Sequence, residues 1–284
     1  MFLLIRYEKL DPTAVWSTLT NVEISLWLIC LGITFTLAKA FRIRVLLRSG
    51  GFDVTYIYCV QLIFKSYYFD MYGLGQVGGL FSRFFYLNQL SREKKVLITT
   101  ILLGEIAIGT YTIFLFAGLS LWQLTLLQSV PDFTKRLLFI CAIAVLIGPL
   151  IPTLLKRSTF FSTIKSVTSA KVLITAVLAS FVEFTIKAMA LFIVARHMVP
   201  DQSISYFTVS TMFSLGALVS VLPIGLAGAG PGHLGYQFFW ENMSGSSSTF
   251  GADLYTMFWF QHLMLAGIGM LIVLFQRGQS TPNK

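Results

Sequence analysis

Several residues with ionisable side chains stand inside apolar stretches of this chain: Lys65, Asp70, Arg83, Glu105, Glu183, Lys187 and His233. A charge at the centre of a bilayer costs about 2.5–3.5 kcal/mol, so such residues face partners, water or a ligand rather than lipid. Glu183 and Lys187 are four apart with the glutamate first, the favourable order for a helical ion pair. They read either as a structural pair or as part of a path for a polar headgroup. Glu105, in ILLGEIAIG, has no charged neighbour on its own segment and is either protonated or paired across helices, with Arg83 or Lys65. Asp70 reaches Arg83 if the chain folds back between them. Lys39 reads as snorkelling to the interface, and His262, beside Gln261, as core.

Two of these residues follow glycine-rich breaks. YGLGQVGGLFSR leads to Arg83, and LPIGLAGAGPGHLGY leads to His233. Gly73, Gly75 and Gly78 match GxGxxG, but a dinucleotide fingerprint needs a preceding strand, and an aromatic membrane segment precedes this one. Gly75 with Gly79, and Gly228 with Gly232, also fit small-residue helix packing. Packing alone leaves the placement of Arg83 and His233 unexplained. Irregular backbone at membrane depth survives where protein or water satisfies it. A helix that starts there points unpaired N–H groups and a positive dipole end inward, which suits an anion. The candidate binding set is therefore Arg83, Gly75, Gly78, Gly79, Gly228, Gly230, Gly232 and His233. Arg83 supplies a planar charge matched to phosphate, or snorkels. His233 donates a hydrogen bond or carries a proton, or satisfies nearby carbonyls. Lys65, Asp70, Glu105, Glu183 and Lys187 form the candidate polar pathway.

The elements that position these residues follow from composition. Of 284 residues 56% are hydrophobic and 12% charged, where a soluble domain has about a quarter charged; mean hydropathy is +0.77. The chain reads as an all-α polytopic membrane bundle, one integral membrane domain over residues 1–284. Apolar stretches of spanning or nearly spanning length fall at about 24–41, 54–72, 96–118, 137–155, 172–195, 204–222 and 254–275. Residues 1–21 are too polar to span. The segments at about 79–90 and 233–241 have some ten residues each and read as half-helices.

If each break returns the chain to the side it came from, twelve of the 21 Lys and Arg residues fall on one side, among them Arg42, Arg44, Arg48, Arg92 and Arg277. Five fall on the other. That asymmetry makes the richer side and the C-terminus cytoplasmic, in the cytoplasmic membrane. Two re-entrant units, about 54–90 and 204–241, then enter from opposite faces as an inverted repeat, the layout of a transport site near the midplane.

Other classes recede. The net charge of +9 sits in short groups beside apolar segments, not in a stripe for nucleic acid. Cys30, Cys59 and Cys141 lack metal or disulfide spacing and read as buried small hydrophobes. There is no HExxH, GxSxG, DxxD or paired-carboxylate constellation, so no catalytic residue, metal or cofactor is assigned, and the chain reads as a non-enzyme.

The two glycine-rich units, with Glu105 after the first and GADLYTMFWFQHLMLAGIGMLI after the second, resemble the lysylphosphatidylglycerol synthase transmembrane region, the flippase-like family. The basic stretch AFRIRVLLRSGG is similar too, and the likeness covers about residues 10 to 275. The resemblance implies an integral-membrane lipid translocator; in bifunctional members the membrane region moves aminoacylated phosphatidylglycerol made by an attached synthase domain. No synthase sequence occurs here, so lysine transfer is not expected. His233 stands where many members have a glutamate, and Ile106 where a Glu-Arg pair is common. The expected partner is a membrane lipid with an anionic or zwitterionic headgroup. The alternative is a non-transporting scaffold for a separate lipid- or glycan-modifying enzyme, and an embedded transferase ranks last.

Overall fold

Polar caps set the first helices. Asp11 accepts from the N–H groups of Thr13 at 2.9 Å and Ala14 at 3.3 Å, and Pro12 takes the first helical position of α1 (Pro12–Thr20). Asn21 closes α1 and caps the next helix, accepting from Ile24 N at 3.2 Å, and α2 runs over Val22–Ser49. Gly51, with φ of 74°, adopts the left-handed conformation just past its end. There follow α3 (Tyr56–Tyr72), α4 (Gln76–Leu90), a 3₁₀ turn (Arg92–Lys94), α5 (Lys95–Leu127) and α6 (Asp132–Ile147). The chain closes with α7 (Ala170–Met198), α8 (Tyr206–Ser220), α9 (Pro231–Ser244) and α10 (Phe250–Gln279). This computed structural model describes residues 10–72, 76–127, 131–147, 169–200, 204–220, 231–244 and 246–279, and among them all regular structure is helical.

Helices α2, α5, α7 and α10 are long and apolar enough to cross a membrane. Val96, Leu146 and Phe275, each more than 70% exposed, place large apolar side chains on the outer surface. Long apolar helices with greasy exteriors make this a multi-pass membrane protein. The stretch 54–72 gives a shorter helix, α3 of 17 residues, and 204–222 gives α8, 15 residues up to Ser220, beyond which 221–222 lie outside the described residues. The segments read as half-helices are longer than expected, 15 residues in α4 and 14 in α9. That is about 21–23 Å of helix, against a hydrocarbon core of ~30 Å. The reason is local: Gln76 to Gly79 continue the helix instead of breaking it, and Pro231 sits at its first position, where its missing N–H costs nothing. The stretch 137–155 starts earlier, at Asp132, and its part beyond Ile147 lies outside the described residues.

Side-chain contacts fix which helix ends lie together. Lys94 Nζ donates to Gly51 O at 3.4 Å, and Gln276 Nε2 to Gln61 Oε1 at 3.3 Å. The end of α2, the start of α3 and the ends of α4 and α10 therefore share one end of the molecule. At the other, Asn21 meets His197 at 3.5 Å, and Asp11 N donates to Asp253 Oδ1 at 2.8 Å. Those contacts gather the start of α2, the end of α7 and the start of α10.

The packing has a regular pattern. α2 lies along α7; α3 packs on α10 as α8 packs on α5; α3 pairs with α4 as α8 pairs with α9. Exchanging α2–α5 for α7–α10 maps α2–α7 onto itself and each of the other pairs onto its counterpart. Two apolar clusters result, one around α3 and the C-terminal half of α2, the other around α8, α9 and the C-terminal half of α7. Cys59 and Cys141 are buried as expected, but Cys30 is exposed. It lies on the outward stripe of α2 with Trp27, Ile33, Leu37 and Phe41, where spacing rather than residue type decides burial.

Candidate functional site

The polar centre of the molecule is organised by Arg42. The basic run FRIRVLLR places this residue among flanking loop charges, but it lies within α2 and is 4% exposed. Its Nη1 donates to Glu183 Oε2 at 2.7 Å and Ser180 Oγ at 2.8 Å, and its Nη2 donates to Glu105 Oε1 at 3.0 Å. The other oxygen of Glu105 accepts from Arg83 Nη1. The other oxygen of Glu183 accepts from Lys187 Nζ at 2.6 Å. Arg83, Glu105, Arg42, Glu183 and Lys187 thus form a chain of alternating charge across α4, α5, α2 and α7. With each group ionised it carries three cations and two carboxylates, an excess of one positive charge.

A signal for Arg42 was present in the sequence. Positions 35, 39, 42 and 46 follow the helical period, and Phe35, Arg42 and Leu46 are buried. Arg44 and Arg48 fall on a different face. Two lysine ammonium groups in this region lie against aromatic rings. Lys187 Nζ lies 4.8 Å from the centre of Phe35, and Lys39 Nζ lies 5.1 Å from that of Tyr67. Lys39 therefore rests on a ring, half-buried, instead of extending to the interface.

Asp70 does not pair with Arg83. Its Oδ1 accepts from Gly79 N at 2.8 Å, in the first turns of α4, and a Cβ at position 79 would run into that carboxylate. An amide read as open to a phosphate therefore already holds an anion supplied by α3. Arg83 Nε reaches Gly79 O at 3.4 Å, so the same short segment receives both side chains. Lys65 pairs with neither Glu105 nor Asp70; it is buried with Nζ 4.2 Å from the centre of the Tyr86 ring on α4. Gly78 is half-buried in the first turn of α4.

In the first turn of α9, Gly232 packs where a Cβ would meet the Tyr255 ring. His233 is buried, with Nε2 2.9 Å from Thr256 Oγ1 and its ring edge-on to Tyr255. The Thr256 hydroxyl donates its one proton to Ala252 O at 2.9 Å, so His233 Nε2 is the donor to it. His233 thereby ties α9 to α10 and is not part of the charged chain. His262 is core: Nδ1 lies 3.0 Å from Phe258 O, and the ring contacts Phe35, Tyr67 and Phe258. Gly75, Gly228 and Gly230 lie outside the described residues.

Along the α2–α7 seam runs an open apolar groove of about 440 Å³, lined by Leu37, Ala38, Phe41, Leu178, Ala179 and Val182. Ala38 and Ala179 each lie one turn before a member of the polar chain, Arg42 and Glu183. The buried ion pair of Arg42 and Glu183 thus has each member one helical turn along its helix from a residue lining this apolar groove.

The family model described as Lysylphosphatidylglycerol synthase TM region matches residues 1–269, and the chain belongs to that family. The match is to the membrane region of the family and not to a synthase catalytic domain. No curated protein and no solved structure matches it.

Proposed function

As a member of that family, this chain, we propose, is a lipid translocator of the cytoplasmic membrane, moving a phosphate-bearing headgroup past the polar chain while the acyl tails stay in hydrocarbon. The observation that carries the reading is the buried, five-membered charge chain with its excess positive charge. An unneutralised charge in apolar surroundings calls for an anion, and the headgroup phosphate is the anion a bilayer supplies. The groove along α2 and α7 supports the reading by offering apolar surface beside the charges. Arg83 is the phosphate contact, and Arg42, Glu105, Glu183 and Lys187 hold the polar route.

In this reading α3–α4 and α8–α9 are re-entrant hairpins that enter from opposite faces as an inverted repeat, with the C-terminus cytoplasmic. The exchangeable packing pairs and the grouping of helix ends support it. The test is leaflet exchange of fluorescent phospholipids in proteoliposomes, read with a membrane-impermeant quencher, for the natural chain, Arg83→Lys and empty vesicles. Lysine keeps the charge but not the planar fork. The expected result is protein-dependent movement that Arg83→Lys slows. Folded protein that moves no phospholipid faster than empty vesicles would sink the proposal.

A further inference from the structure

The α2–α7 groove has a polar end that the charge chain does not use. The start of α2 meets the end of α7 at Asn21 and His197, and the two helices pack along each other, so the end of α2 lies beside the start of α7. Leu37 and Phe41 line the groove on α2, and one turn further along the same stripe stands Arg44. Thr175 and Leu178 line it on α7, and one turn before Thr175 stands Lys171. Each wall of the groove therefore runs out into a basic residue at the same end of the molecule. Tyr56 fixes the mouth: it lines the groove, its hydroxyl donates to Leu37 O at 2.9 Å, and Arg44 lies within its electrostatic reach.

Neither base is spent on the fold. Arg44 Nε is buried without a hydrogen-bond partner, and the guanidinium makes no ion pair among the described residues. Arg48, one turn on, differs in facing Asp53 at 3.9 Å. Lys171 is exposed, and its ammonium has no acidic partner among the described residues. A buried donor left unpaired is costly, so this end of the groove calls for an acceptor. The groove itself calls for hydrocarbon. Its lining is apolar apart from Tyr56 and Thr175, and the Thr175 hydroxyl is turned away onto Lys171 O at 2.8 Å. Its volume of about 440 Å³ falls in the range of small-ligand sites.

A ligand that satisfies both ends is an amphiphile with an apolar tail and an anionic head rich in acceptor oxygens. The bilayer around these helices supplies one, a phospholipid. An apolar helix of another protein would cover the groove and leave Arg44 Nε without an acceptor.

We infer that Arg44 and Lys171 hold the phosphate of a phospholipid whose acyl chain lies in the α2–α7 groove, a lipid site separate from the buried charge chain. Arginine and lysine bind the phosphodiester oxygens that phospholipids share, so the site takes them whatever the headgroup carries beyond the phosphate. The inference goes beyond the translocator reading, since it concerns a lipid that is held, whether or not one is moved. A lipid seated there clamps together the two helices that carry Arg42 and Glu183.

The experiment uses the full chain in detergent micelles, with lipid retention counted by native mass spectrometry and melting temperature read in parallel. The probes are phosphatidylglycerol, phosphatidylethanolamine, diacylglycerol with the same tails, and inorganic phosphate. Both phospholipids should be retained about equally and raise the melting temperature, at least about tenfold better than diacylglycerol, because each basic residue near a membrane surface adds several-fold to binding. Arg44→Gln with Lys171→Gln breaks no bond of the fold. It should leave the melting of the lipid-free chain unchanged and cut phospholipid retention at least about tenfold. Phosphatidylglycerol with a photoreactive tail should label residues 37–41 and 175–182 and lose that label in the double variant. Label on Phe139 and Leu146, exposed on α6, should stay. Diacylglycerol retained as well as phospholipid overturns the inference, as do retention and labelling that the double variant leaves unchanged; the groove then holds bulk lipid only. A melting shift with inorganic phosphate as large as with lipid also overturns it, because the tail then adds nothing. A lipid-free dimer with no label in the groove overturns it too, and gives the groove to a second copy of the chain.

Discussion

At the scale of single residues, the geometry changes what a substitution reports. Arg83→Ala removes a candidate phosphate contact, but it also leaves one oxygen of a 2%-exposed glutamate without its partner. Breaking a buried pair from one side costs about 3–5 kcal/mol, while removing both charges costs far less. Arg83→Gln should therefore lower stability, and Arg83→Gln with Glu105→Gln should cost less than the two single changes summed. Thermal unfolding in detergent across this double-mutant cycle checks it, and additive losses would mean that the two side chains are not coupled. Gly79 makes a second, sharper case. An alanine in a helix is normally favoured over glycine by about 1 kcal/mol, but here its methyl would displace the Asp70 carboxylate. Gly79→Ala should destabilise the natural chain and stabilise an Asp70→Ala chain. A change of sign between the two melting shifts is the expected outcome; the same sign in both would mean that Asp70 does not hold the start of α4.

Helix α10 and its neighbour α3 carry the argument to the scale of elements. Gly269 brings the two backbones so close that a Cβ there would strike the carbonyl of Phe64, whereas Gly267, two residues earlier, has nothing within 4 Å of that position. Gly269→Ala has to push a backbone aside and should cost about 1–3 kcal/mol. Gly267→Ala meets no neighbour and should be neutral or slightly stabilising, by up to about 1 kcal/mol. Melting temperatures of the two variants decide it, and equal shifts would mean that α3 and α10 do not pack as described. Elements were legible in the sequence wherever a long apolar run forced a helix, as in α2, α5, α7 and α10. Their limits were less so: Gly78 and Gly79 after the first break and Pro231 after the second read as helix breakers, although all three lie inside the helices that follow. Within the site, Glu105 was conspicuous because a lone carboxylate in an apolar helix must find a cation. Arg42 was hidden because hydropathy falls where charges cluster, and the run FRIRVLLR resembles the flank of a span. Only the helical register separates Arg42 from Arg44 and Arg48, and a register matters only once the helix is known to continue. Asp70 was noticed for its charge, but its partner is a backbone amide that no side-chain pattern encodes.

The molecule as a whole offers a test of the arrangement in which the two hairpins face opposite ways. Asp53, exposed just after α2, belongs to the end that holds Gly51, Lys94 and the end of α10. Ser247, exposed just before α10, lies at the end gathered around Asp11 and Asp253. Helix α10 runs between those ends, 30 residues or about 45 Å at 1.5 Å per residue, more than the thickness of a hydrocarbon core. The two positions should therefore face opposite compartments, and the distribution of Lys and Arg says which: Asp53 inside, Ser247 outside. In a chain with Cys30, Cys59 and Cys141 replaced, a membrane-impermeant maleimide should label Ser247→Cys on intact cells and Asp53→Cys only after permeabilisation. Labelling of both from one side would remove the opposed hairpins and, with them, the common midplane site on which the headgroup route depends. Labelling of Asp53→Cys alone from outside would keep the hairpins and invert the molecule, placing its basic loops where the charge asymmetry forbids them.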